Sequence, residues 1–268
     1  MMKLGFSPCP NDTYIFYALA NHLIDSRGYD IEFVIDEVES LNRRAMVGEL
    51  PVSKVSCAAF IRLRDRYRFL KSGGAFGRGC GPLVVGRKKV DASFLQGRTI
   101  AIPGEATTAH LLIRLYCDAA GVAPKAFVPM VFHEVMPAVA AGRVDAGVII
   151  HEGRFTFGSW HLHAWIDLGG WWEKTTGLPL PLGGIVAEKA LGEKTLQDLE
   201  GLIRASVGYA SAHPGEAMPF IRRHAQEMAD DVIRQHIALY VNEFSMDIGD
   251  EGTAALDELL RRASAAGF

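Results

Sequence analysis

The strongest constraint on this fold is an order of elements that occurs twice. Lys3–Ser7 reads as a short strand, and the stretch from Thr13 to Leu23 spaces Phe16, Leu19 and Leu23 as a helix would, with Asn11 or Asp12 as its cap. Asp30–Asp36 alternates as a strand, Val38–Val47 returns to helical spacing, and Pro51–Ser56 is strand-like again. The series then recurs: strand Arg98–Pro103, helix Thr107–Ala120 closed by Gly121, strand Ala126–Val131, helix Glu134–Ala141 stopped by Gly142, strand Val144–Ile150. Even the joints match, since Gly48 to Ser56 and Gly142 to Ile150 each run from a helix-ending glycine into an apolar strand. Two similar α/β units follow.

Between the units, Lys71 to Pro82 holds five glycines in twelve residues, which marks a linker or hinge. A second crossing is expected from Gly177 to Gly184. Beyond it, Lys194–Ala212, Pro214–His224 and Asp230–Val241 read as helices, Pro214 standing where a helix begins. This order predicts one lobe from residues 1–86 and 183–268, a second from 87–182, two hinge crossings and a cleft in which a ligand would sit. It is the order of the type 2 periplasmic-binding-protein-like α/β fold, with two βαβ lobes.

Composition narrows the partners. With 268 residues, 49% of them hydrophobic, the chain can build a packed core. Its 28 basic and 31 acidic residues leave a net charge of -3, no broad field for nucleic acid or an anionic membrane, so a small molecule is the expected partner and a homodimer stays open. The opening residues lack the pattern of a secretory signal, and no run approaches the roughly 18 apolar residues of a membrane span. Cys9, Cys57, Cys80 and Cys117 are widely scattered, which reads as reduced thiols in a cytoplasm.

In parallel α/β units, ligands gather where strands feed helices, because free amides and helix N-termini collect there. Four loops qualify: Ser7–Thr13, Lys54–Cys57, Gly104–Ala109 and His151–Phe155. In the first, Ser7 and Asn11 can bind a ligand or simply cap the helix. In the third, the hydroxyls of Thr107 and Thr108 and the amides beside them suit a carboxylate, capping being the alternative. Lys54 and Ser56 would add a cation and a hydroxyl from across the cleft. His151 ends the apolar run Val148-Ile149-Ile150 and is followed by Glu152 and Arg154, so an imidazole emerges from core at a cleft mouth, suited to proton transfer or to a structural hydrogen bond. Cys9 has no cationic sequence neighbour to favour a thiolate. His161 and His163 lack a third ligand nearby, so no metal is expected. No glycine-rich nucleotide fingerprint follows a strand, so no cofactor is expected.

Several longer motifs are recognisable. Gly5 to Thr13, Asp36 to Arg43, Ser72 to Ala75 with Gly77 to Gly79, Ile149 to Phe155, Gly177 to Gly183 and Tyr240 to Ser245 resemble the 1,4-dihydroxy-6-naphthoate synthase family, nearly end to end. The resemblance implies a cofactor-free lyase of the futalosine route to menaquinone. It would convert cyclic dehypoxanthine futalosine to 1,4-dihydroxy-6-naphthoate and dihydroxyacetone. It also implies a proton acceptor at His151, and substrate contacts at Lys54, Val55 and Ser56 and at Thr108 and Ala109. The alternatives are chorismate dehydratase of the same pathway and a module that binds an aromatic carboxylate without turning it over.

Overall fold

The computed structural model describes residues 1–90, 92–225 and 229–268. The first half-sheet is built from β1 (Met2–Phe6), α1 (Pro10–Ala20), β2 (Ile31–Ile35), α2 (Val38–Met46), β3 (Val52–Ser56) and α3 (Cys57–Leu63). After β4 (Tyr67–Phe69) and β5 (Ala75–Gly77) the chain enters a second sheet with β6 (Leu83–Gly86), β7 (Thr99–Ile102), α4 (Thr108–Ala120), β8 (Ala126–Pro129), α5 (Phe132–Ala140) and β9 (Ala146–Ile149). The short α6 (Gly153–Thr156), β10 (His163–Asp167) and α7 (Leu168–Thr176) complete that lobe. The chain then returns through β11 (Leu180–Glu188) and ends in α8 (Glu193–Ala212), α9 (Pro214–His224), α10 (Asp230–Tyr240), α11 (Glu243–Met246) and α12 (Gly249–Ala265).

Sequence order is duplicated in space. The strands run β2-β1-β3-β11-β4 in one sheet, with β5 paired to β11, and β10-β6-β9-β7-β8 in the other. Within each, the first strand of the unit is central and parallel to the other two, β1 between β2 and β3, and β7 between β8 and β9. Antiparallel strands from the crossing segments extend both sheets: β11 beside β3, and β6 beside β9. The structure is a type 2 periplasmic-binding-protein-like fold, as the order of elements predicts.

Three details differ from the sequence expectation. The glycine-rich linker contains β5, whose Ala75 pairs with Gly183. β6 hydrogen-bonds in the second sheet, so the first crossing lies at 78–82, before the lobe division expected after residue 86; the return lies at 177–179 ahead of β11, inside the segment 177–184. The first helix starts at Pro10, with Cys9 as its extended N-cap, because proline fits the first helical turn and Asp12 is drawn elsewhere.

The helix ends follow local chemistry. Thr107 caps α4 by accepting from the His110 amide, and Gly121 ends it at φ 65°, a left-handed conformation that costs glycine little. One apolar cluster runs beneath the cleft, joining Cys57 and Ala58 of α3 to Val84 of β6, Leu111 of α4, Trp172 of α7 and Leu256 of α12. Both sheets therefore share core. Among the described residues, no helix is long and apolar enough to cross a membrane.

Candidate active site

The loops chosen from sequence converge. Ser7, Asn11, Lys54, Val55, Ser56, Thr107, Thr108, Ala109 and His151 all line one cleft between the sheets, joined there by Asp12, Val38, His236 and Tyr240. They arrive at the carboxyl ends of β1, β3, β7 and β9, where strands hand over to helices.

One wall is organised by Asp12, which is almost fully buried. Its Oδ1 accepts from Lys54 Nζ at 2.9 Å and from Asn11 Nδ2 at 2.9 Å. Its Oδ2 accepts from Ser7 Oγ at 2.6 Å and from the Ser7 amide at 3.2 Å. A carboxylate with this many donors stays an acceptor and neutralises the buried ammonium beside it. Lys54 also donates to the Gly73 carbonyl at 3.3 Å, which leaves a third proton for a ligand. Ser7 and Asn11 thus act on the cleft chiefly through Asp12.

The threonine hydroxyls are engaged, which revises their expected role. Thr107 Oγ1 donates to the Gly104 carbonyl at 2.8 Å while capping His110. Thr108 Oγ1 donates to the Leu182 carbonyl at 2.8 Å and accepts from the Ala58 amide at 3.1 Å, tying α4 to α3 and β11. What α4 can offer a ligand is its first-turn amides at Thr108 and Ala109, which have no carbonyl one turn back. Ser56 is held by Asn42, whose Oδ1 accepts from the Ser56 amide at 2.8 Å and whose Nδ2 donates to Ser56 Oγ at 3.2 Å. That leaves the Ser56 hydroxyl proton free to donate.

The opposite wall is His151. Its backbone lies at φ 54°, a left-handed value uncommon for any residue but glycine. Cys9 Sγ lies 3.4 Å from its Nδ1, a contact that crosses the cleft. Phe132 meets the ring edge-on at 4.9 Å between centroids. Nε2 is enclosed and has no hydrogen-bond partner. Burial lowers the ring's pKa to about 4; Asp12 opposes that shift and Lys54 adds to it. The imidazole is therefore neutral near pH 7. Burial, with Glu152 and Asp12, pushes the Cys9 thiol well up, so it stays protonated and is no nucleophile.

A family model described as menaquinone biosynthesis matches residues 2–265. A 1,4-dihydroxy-6-naphthoate synthase of Thermus thermophilus is 50% identical over 267 residues, spanning 100% of this chain and 95% of the relative. The chain belongs to the 1,4-dihydroxy-6-naphthoate synthase family. A synthase of the same name from Streptomyces coelicolor is 47% identical over 271 residues, spanning 100% and 94%. A crystal structure from Archaeoglobus fulgidus superposes with a TM-score of 0.91 at 32% identity, covering 99% and 97% of the two chains. A Candida albicans protein described as having the generic periplasmic binding protein fold gives 0.75 at 13% identity over 99% and 90%, a likeness of fold alone.

In and behind this synthase-family cleft, sequence reasoning misses four polar side chains. Asp12 reads only as a cap, Asn42 sits in an amphipathic helix and acts through Ser56, and His236 and Tyr240 lie on α10 far along the chain. A fifth, Glu39 on α2, accepts from the amides of Glu105 at 3.1 Å and Ala106 at 3.3 Å, holding the first lobe to the loop before α4. Asp36 to Arg43, one of the motifs that carry the family resemblance, contains both Glu39 and Asn42. Among the described residues, no group of three or more His, Cys, Asp or Glu side chains is placed to hold a metal.

Proposed function

We propose that this cleft cleaves cyclic dehypoxanthine futalosine to 1,4-dihydroxy-6-naphthoate and dihydroxyacetone, a carbon–carbon lyase step of menaquinone formation, with His151 as general base. The observation that carries the reading is His151, a ring that lines the donor-rich cleft and whose Nε2 is enclosed and has no partner. The family relationship supplies the chemistry for which such a base is suited.

The substrate carboxylate is held by the Thr108 and Ala109 amides at the positive end of α4, by the Ser56 hydroxyl and by the third proton of Lys54, with Val55 beside them. His151 Nε2 takes a hydroxyl proton from the substrate. The resulting alkoxide collapses to a carbonyl, the adjacent C–C bond breaks, and the electrons left behind complete the aromatic naphthalene. Abstraction at Nε2 requires the other ring proton on Nδ1, directed at Cys9 Sγ, which fixes the ring's orientation. Asp12 favours the imidazolium once it forms. Because the bound carboxylate brings a negative charge, it raises the low pKa that burial gives His151 and makes it a better base in the complex.

Mass spectrometry of a reaction with purified protein and no added cofactor tests this directly. Equimolar naphthoate and three-carbon product are expected. Substrate recovered unchanged after long incubation would make the chain a binding module, and dehydration of chorismate under the same conditions would make it the sister enzyme.

A further inference from the structure

A second histidine faces the same cavity. His236 is 1% exposed yet lines the cleft, and its ring lies 6.2 Å from that of His151 and nearly parallel to it, at 17°. Its tautomer follows from its neighbours. Asn11 directs its nitrogen to the Asp12 carboxylate, which can only accept, and so presents its oxygen to His236. That oxygen lies 3.0 Å from His236 Nε2, so Nε2 carries the proton and Nδ1 is a bare lone pair. Nδ1 is enclosed and has no partner, as is true of His151 Nε2. Burial, reinforced by the neighbouring His151, pushes the His236 ring well below the usual histidine range, so it stays neutral and accepts. Buried acceptors without donors are rare, and two on adjacent rings call for hydrogen-bond donors from whatever the cleft binds.

We propose that His236 is a substrate-binding residue whose Nδ1 accepts a hydrogen bond from a hydroxyl of the substrate's hydroxylated three-carbon portion, so that His236 and His151 together read a pair of hydroxyls. This rests on the lyase reading above. Donors on β3 and α4 meet the aromatic carboxylate. Acceptors on α10 and the β9–α6 turn meet the hydroxyls that leave with the smaller product. A substrate lacking one of those hydroxyls leaves an imidazole lone pair buried and unmatched, which is the basis of discrimination.

Two amide substitutions separate contact from scaffolding. His236→Asn puts a carbonyl oxygen where Nδ1 stands and gives up the donor to Asn11; His236→Gln keeps a donor near Nε2 and gives up the acceptor. Calorimetry in a His151→Ala background, where substrate is bound and not consumed, is expected to show His236→Gln weakening substrate about tenfold and His236→Asn less than about threefold. Affinity for 1,4-dihydroxy-6-naphthoate, which lacks the three-carbon portion, stays within about threefold in both. The reverse order, or an equal loss for substrate and product, means that His236 only supports Asn11 and overturns the proposal. A second measurement leaves His236 intact: in ¹⁵N-histidine-labelled His151→Ala protein, added substrate is expected to move the His236 Nδ1 resonance from the free-imine position toward the hydrogen-bonded one. An unmoved resonance at saturation overturns the proposal. Failure of the lyase reading looks different, since wild-type protein then releases neither product.

Discussion

Asp12 and His151 face one cleft from opposite lobes, and their surroundings differ in kind. Asp12 has both oxygens engaged by Lys54, Asn11 and Ser7, on a helix that starts without strain. His151 sits at a left-handed φ, leans on a sulfur and leaves Nε2 without a partner. A satisfied network rigidifies; an unsatisfied, strained group persists only where the surrounding structure holds it in place. On the proposed reading, the Asp12 wall is scaffold and the His151 wall carries the chemistry. The contrast also predicts that substitutions on the two walls fail in different ways.

The largest effect is expected on turnover. His151→Ala should lower kcat by about 10²–10⁴-fold while the protein stays folded and binds substrate. Steady-state kinetics beside calorimetry would break the contrast if the rate stayed near normal. On the other wall, Asp12→Ala strands the buried Lys54 ammonium and should cost about 3–5 kcal/mol in chemical denaturation. A loss below about 1 kcal/mol would show that the network is not the scaffold.

The smallest effect is in pH. His151 titrates near pH 4 when folded and near its ordinary value when unfolded, so between these the unfolded chain binds more protons. The stability gained from keeping the ring neutral is complete above about pH 6.5 and is lost as pH falls toward 4. His236 acts in the same direction, whereas Glu37 and Glu152, whose pKa values burial raises, act oppositely. Subtracting the His151→Ala profile isolates one ring: wild type should lose up to about 1.4 kcal/mol more per pH unit in that window. Parallel profiles would mean that the imidazole is not held neutral by burial.

Much of this was legible because it is local. Strand ends, the glycine stops at Gly121 and Gly142, and the abrupt His151 after Val148-Ile149-Ile150 are set within a few residues, so the loops at the cleft could be named. What each atom does there was less legible. The hydroxyls of Thr107 and Thr108 looked like ligand donors, but one caps its own helix and the other bridges to Ala58 and Leu182. His236 was hidden for a different reason. Ile233, His236 and Tyr240 mark a buried face of α10, but only the tertiary path that packs this helix on α1 brings that face to Asn11. β5 is hidden inside the glycine-rich crossing because a three-residue run carries little periodicity.

The left-handed turn at His151 carries an evolutionary consequence. A glycine there would relieve about 1–2 kcal/mol of backbone strain and also remove a buried ring that resists protonation. On the proposed reading that glycine would also remove the base, so thermostability screens on this scaffold should hold position 151 fixed.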